Sequence, residues 1–304
     1  MFNFSSNHLG HFLQIQSAAV GVTRQLLSAA PERAALISRT KAEVRWKLPT
    51  IETCCARLQM ILHQFGRSSR FWYHWVPPLA GHYRVVRRDM RGHGQSADPG
   101  PDYQWSVDEL LNDMKGFLDA LGLNQVHYVG ESVGGILGIA FAVRWPERFK
   151  SMTLCATPTA IRPPIQRLFA VGYEDWPTAL GALGPGGWVK ALMERGGGLA
   201  GTNPAHLDWV IKEWSKTPTH VLQGLCRLVP SVDITPLLPQ VKVPTLVLAP
   251  ARSPLTPLTE QVLIRDSIPG ACIAVIEGRG HEIYVDDPEG CITALLKFLR
   301  SLDR

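Results

Sequence analysis

The sequence predicts an α/β protein: a mostly parallel sheet interrupted by a helical insertion. Three observations carry that expectation. From residue 58 onward, short apolar runs alternate with amphipathic stretches, the pattern of parallel strands joined by crossover helices. The rhythm stops between residues 157 and 233, where tryptophans (Trp176, Trp188, Trp209, Trp214) and glycines (184, 186, 187, 196–198) accumulate. It resumes at residue 244 with another apolar run. With 304 residues, 45% hydrophobic and 19% charged, the chain can bury a large core, which excludes chain-wide disorder.

Each element has its own signal. Residues 1–57 are irregular, with helical pattern only at 20–30 and 33–38 and no sign of a β-hairpin. Residues 58–63 read as a strand, 70–80 as a short Trp-rich helix and 83–89 as the next strand. Leu110, Leu111, Met114, Phe117, Leu118 and Leu121 share one face of a helix over 107–121. Ser106 is its expected N-cap, and Glu109 completes a capping box. A strand at 125–129, a helix at 135–145 stopped by Pro146 and a strand at 151–155 follow. After the insertion come a strand at 244–250, a helix at 259–268, a strand at 272–277 and a closing helix at 292–299. The domain reading is therefore an N-terminal extension (1–57), a sheet core (58–156 and 234–304) and a helical insertion (157–233).

Charge and cysteine content narrow the function classes. The net charge of +5 is concentrated at the start: residues 1–60 hold seven Lys/Arg against three Glu. The rest is nearly neutral, so those charges read as a solvated face rather than a nucleic-acid site. Cysteines 54, 55, 155, 226, 272 and 291 form no C-x-x-C pair or framework spacing. Cys155 and Cys272 lie in apolar runs and read as small hydrophobes, which with the lack of a basic-plus-apolar leader at residues 1–10 suggests a reducing, cytoplasmic setting. The densest apolar run, 136–143, is far short of the ~18 residues of a membrane span. No metal-ligand spacing, phosphate loop or heptad pattern appears, so a small-molecule substrate is expected with no cofactor and no metal.

The chemistry is signalled by Gly130-Glu131-Ser132-Val133-Gly134-Gly135. A G-x-S-x-G string alone occurs by chance in about a tenth of 300-residue chains at ordinary Gly and Ser usage. Its position between the strand ending at Val129 and the helix beginning near Gly135 makes it specific, because a nucleophile elbow requires that setting. A serine needs a base. His281, in Gly278-Arg279-Gly280-His281 after the last strand, is the histidine that a glycine-containing loop can bring over the sheet's carboxyl edge. His127 reads as a core residue, and His8, His11, His206 and His220 lie outside the alternating region.

These motifs, with Arg88-Asp89-Met90-Arg91-Gly92-His93-Gly94-Gln95-Ser96 and Asp233-Ile234-Thr235-Pro236-Leu237-Leu238 before the strand at 244–250, resemble the α/β-hydrolase superfamily over residues 58–303. The likeness is greatest to its esterase, enol-lactonase and carbon–carbon hydrolase branches. It implies helices on both faces of the sheet and a cap at 157–233 whose tryptophans favour an apolar or aromatic substrate. It also implies that His93 belongs to a structural turn. Serine rather than aspartate at 132 argues against epoxide hydrolase or haloalkane dehalogenase chemistry.

The sequence departs from the family pattern at two places. Ser253, in Ala251-Arg252-Ser253-Pro254-Leu255-Thr256-Pro257, stands where the triad acid is expected, and Cys155-Ala156-Thr157-Pro158 offers no carboxylate at the alternative place. Losing the acid from a serine-protease triad costs about 10⁴ in kcat. Ser253, a backbone carbonyl, Glu174 or Asp175 are candidate substitutes; Glu131, beside the nucleophile, is expected to point away from it. The oxyanion donors are expected to be the N–H groups of Val133 and of Phe65 in His63-Gln64-Phe65-Gly66, where Gln64 replaces a glycine. Gln64, Glu131 and Trp176 are the candidate pocket residues. Three functions follow: a serine hydrolase cleaving an ester or lactone of a small apolar substrate, a non-hydrolytic enzyme (cyclase, decarboxylase or carbon–carbon cleavage), or a degenerate ligand-binding homologue.

Overall fold

A computed structural model describes residues 50–51, 58–62, 66–197, 204–278 and 280–303, with backbone only for 50–51, 58–62 and 204. The N-terminal extension, apart from 50–51, and His63, Gln64 and Phe65 lie outside the described residues. The strands are β1 (Thr50–Ile51), β2 (Leu58–Leu62), β3 (Arg84–Arg88), β4 (Val126–Glu131), β5 (Phe149–Cys155), β6 (Thr245–Pro250) and β7 (Cys272–Ile276). They form one sheet in the order β1-β3-β2-β4-β5-β6-β7. β1 runs antiparallel to β3, and every other neighbouring pair is parallel. β4 and β6 are buried along their whole length, as expected of central strands covered on both faces.

The amphipathic stretches supply the crossovers: α1 (Val76–Ala80), α2 (Val107–Ala120) and α3 (Val133–Arg144). The Ser106 hydroxyl accepts from Glu109 N at 3.1 Å, which satisfies one of α2's orphan donors. α3 follows the elbow directly and packs Phe141 against Phe149, itself stacked on Tyr128. The Tyr128 hydroxyl donates to Gly134 O at 2.5 Å, which ties the elbow turn to β4. Between β5 and β6 the chain is helical: α4 (Pro163–Phe169), α5 (Trp176–Glu194), α6 (Pro204–Trp214) and α7 (Thr219–Leu228). α8 (Leu258–Ser267), α9 (Ile283–Asp286) and α10 (Pro288–Ser301) complete the fold.

Three sequence expectations are corrected. The helix expected over 70–80 is a 3-10 turn, Ser69–Trp75, followed by α1. Trp72 leaves helical geometry there, and Pro77 and Pro78 can sit only in a first turn because they lack an N–H. β1 is present although no strand was visible before residue 58. Two residues are too few to produce an alternating pattern. Cys272 is exposed rather than packed, because β7 is the sheet's edge and shows much of its surface to solvent.

Candidate active site

The site forms at the carboxyl end of the sheet, where β4, β6 and β7 pass into loops. Ser132 follows β4 with φ 51° and ψ −117°, a backbone conformation that strains any residue with a Cβ. Its N–H donates to Cys155 O at 3.0 Å, and its carbonyl accepts from Gly135 N at 2.8 Å, so both neighbouring elements hold the strained turn. A Cβ on Gly130 would lie 2.5 Å from Gly134 O, so the elbow demands glycine there. Val133 N lies in the first turn of α3, where a backbone N–H has no partner within the helix and is available to an anion.

His281 lies in the loop between β7 and α9 and is buried. Its Nδ1 is 3.1 Å from Thr256 Oγ1 and 3.3 Å from Ser253 Oγ, both in the loop after β6. Thr256 directs its hydroxyl to Ser253 Oγ at 3.0 Å, and Ser253 Oγ also accepts the N–H groups of Leu255 and Thr256. The two hydroxyls thus hold the Nδ1 edge of the ring and leave Nε2 on the opposite edge. Burial, helped by the Arg67 cation, holds the imidazole pKa down to about 3, so the ring rests neutral at ordinary pH.

On the opposite edge of the ring, His281 Nε2 is 3.5 Å from Glu131 Oε1. Glu131 is wholly buried and reaches the base. It does not line the substrate cavity. Burial pushes its pKa up to about 8, opposed by Arg67. Arg67 is itself buried, ion-paired with Glu282, and donates to the Tyr284 hydroxyl at 2.5 Å. The loop carrying His281 is further anchored by Trp75, whose indole N–H donates to Tyr284 O at 2.8 Å.

Ser132, Val133 and His281 line a cavity of about 40 Å³ whose remaining wall is apolar. Phe169, Trp176, Trp188 and Trp214 form a chain of ring contacts across it, at 4.5–5.7 Å between successive centroids. Trp214 lies so close to Gly66 that a Cβ there would meet its ring at 1.9 Å, so this wall reaches the loop expected to carry the second oxyanion donor. A larger cleft of about 360 Å³ lies between Arg70, Arg87, Asp89, Glu213 and Lys216, and no histidine is among its described lining residues.

Of the sequence-derived candidates, Ser132, Val133, Trp176 and His281 meet at one cavity, and Ser253 backs His281. Phe65 and Gln64 fall outside the described residues. Glu174 and Asp175 are exposed, and Asp175 caps α5 through Thr178 N. His93 is buried, with Nδ1 3.0 Å from Arg91 O and Nε2 accepting from Gly66 N at 3.3 Å. It pins the loop beside the site. His127 contacts Ser151 within the core. Sequence reasoning missed Thr256 and the Arg67–Glu282 pair. Thr256 was detectable as the hydroxyl three residues beyond Ser253; a lone arginine gives no signal of burial.

Known proteins share this fold. A family model described as alpha/beta hydrolase fold matches residues 60–178. A solved hydrolase from Pseudomonas aeruginosa PA01 is 30% identical, with TM-score 0.67, covering 84% of this chain and 93% of its own. The enol-lactonase from Burkholderia xenovorans LB400 is 25% identical, with TM-score 0.68, covering 85% and 99%. A protein from Caulobacter segnis designated a candidate carbamate hydrolase, RutD, is 28% identical over 249 residues, 77% of this chain and 88% of its own. A parallel sheet with a serine elbow after its central strand and a histidine after its last defines the α/β-hydrolase class. The chain belongs to the α/β-hydrolase superfamily.

Proposed function

We propose that the chain is a serine hydrolase that cleaves the ester or lactone bond of a small, apolar substrate. The observation that carries this reading is the meeting of Ser132, on its strained elbow, and a neutral His281 at one apolar cavity. The hydrolase and enol-lactonase relatives support the same class of reaction. Ser132 Oγ attacks the carbonyl carbon while His281 Nε2 takes its proton. The N–H groups of Val133 and Phe65 hold the oxyanion, and the proton then passes from Nε2 to the leaving oxygen. Water, deprotonated by the same nitrogen, releases the acyl group from Ser132. The helical segment 157–233 acts as the cap: its aromatic wall excludes water and sets substrate size.

The cavity of about 40 Å³ beside Ser132 is small and its wall is apolar. Short acyl groups are therefore favoured. The test is hydrolysis of p-nitrophenyl acetate, butyrate and octanoate and of simple lactones by the full chain and by Ser132→Ala. The expected result is turnover that falls with acyl length and is lost in Ser132→Ala. Equal turnover by the variant contradicts the reading.

A further inference from the structure

We infer that Glu131 is the charge partner of His281, supplying at Nε2 the negative charge that a triad acid ordinarily supplies at Nδ1. The inference rests on the serine-hydrolase reading above. A triad acid does two jobs: it fixes the imidazole tautomer and it stabilises the imidazolium. In this site the jobs are divided. Thr256 and Ser253, at 3.1 and 3.3 Å from Nδ1, orient the ring, but two hydroxyls carry no charge. The carboxylate lies on the other edge, with Glu131 Oε1 3.5 Å from Nε2, the atom that receives the proton.

The placement follows from the fold. Glu131 is the last residue of β4, directly before the nucleophile, and is wholly buried. The groups that face it come from each neighbouring element. Arg67, from the loop after β2, is held by Glu282 and by the Tyr284 hydroxyl of α9. His281 comes from the loop after β7, and Cys155, beside Cys291 of α10, from the end of β5. Arg67 favours the carboxylate and burial opposes it.

The proton count is then explicit. Near pH 6 Glu131 holds its proton and His281 is neutral. Above about pH 8 the Glu131 proton is lost to solvent. When Ser132 Oγ bonds to the carbonyl carbon, its proton moves to Nε2, and the new imidazolium faces a full opposite charge only if Glu131 is ionised. The same proton later leaves with the alcohol, and Glu131 ends in the state in which it began. The rate therefore rises with pH through the ionisation of Glu131, while His281 contributes no limb in this range.

The test is kcat/KM for p-nitrophenyl acetate between pH 6 and 9.5, corrected for spontaneous hydrolysis, in wild type, Glu131→Gln, Glu131→Asp and Ser132→Ala. Wild type is expected to rise about 10²-fold around pH 8, the low end of what a positioned acid–base group contributes. Glu131→Gln is expected to give a flat profile, and Glu131→Asp to recover part of the rise. In a Ser253→Asp background, where a carboxylate reaches Nδ1, Glu131→Gln is expected to cost less than in wild type. A rise retained in Glu131→Gln, or an equal loss at every pH, overturns the inference. If Glu131→Gln does not fold, a folded Glu131→Asp with a flat profile overturns it equally. Full activity in Ser132→Ala contradicts instead the serine-hydrolase reading, so the two failures are distinguishable.

Discussion

A hydroxyl at position 253 can orient an imidazole but cannot neutralise one. Ser253 Oγ gathers the N–H groups of Leu255 and Thr256 and the Thr256 hydroxyl, a donor set suited to a carboxylate. Ser253→Asp therefore meets donors already in place and brings a charge to within reach of Nδ1. The expected outcome is a gain in kcat for ester hydrolysis, bounded by the factor of about 10⁴ that loss of a triad acid costs elsewhere. Unchanged or lower kcat in a folded variant contradicts the division of labour between Nδ1 and Nε2. At this scale Ser132, His281 and Ser253 were legible because each occupies a fixed place relative to a strand end. The orientation of Glu131 and the role of Thr256 were not, since they depend on how separate loops turn toward each other.

The elements carrying the site are held by contacts far apart in sequence. The loop before α9 brings His281 to the cavity because Glu282 is locked to Arg67 and Tyr284 to Trp75. Both members of the Arg67–Glu282 pair are fully buried, so removing one charge strands the other in a medium that solvates it poorly. Glu282→Gln is expected to lower unfolding free energy by about 3–5 kcal/mol, as for other broken buried pairs. Urea denaturation measures it, and a loss under about 1 kcal/mol, the range of exposed pairs, contradicts the structural role given to Arg67. Helix existence was legible from periodicity, and the Ser106–Glu109 cap from its spacing. The loose joint in α5 was legible as well. Gly184 sits there at φ 66° before Pro185, which divides the helix into two segments. The 3-10 turn at Ser69–Trp75 was not, because its tryptophans mimic an amphipathic helix while Pro77 and Pro78 restrict where a helix begins.

Over the whole molecule, the alternation of strands and helices from residue 58 was enough to predict the sheet, because parallel strands must be joined by crossovers. Strand order was not readable in that alternation; it places β4, and with it Ser132, in the middle of seven strands. Net charge proved uninformative about the site, whose cavity wall is apolar apart from Ser132 and His281. Among the described residues no helix is long and apolar enough to cross a membrane. The central claim is that Ser132 is a nucleophile activated by His281, and reaction with a small fluorophosphonate tests it most directly. Intact-mass and peptide analysis are expected to find one adduct on Ser132, formed much more slowly in His281→Ala. No adduct on Ser132, under conditions that fully label a control serine esterase, would contradict the account.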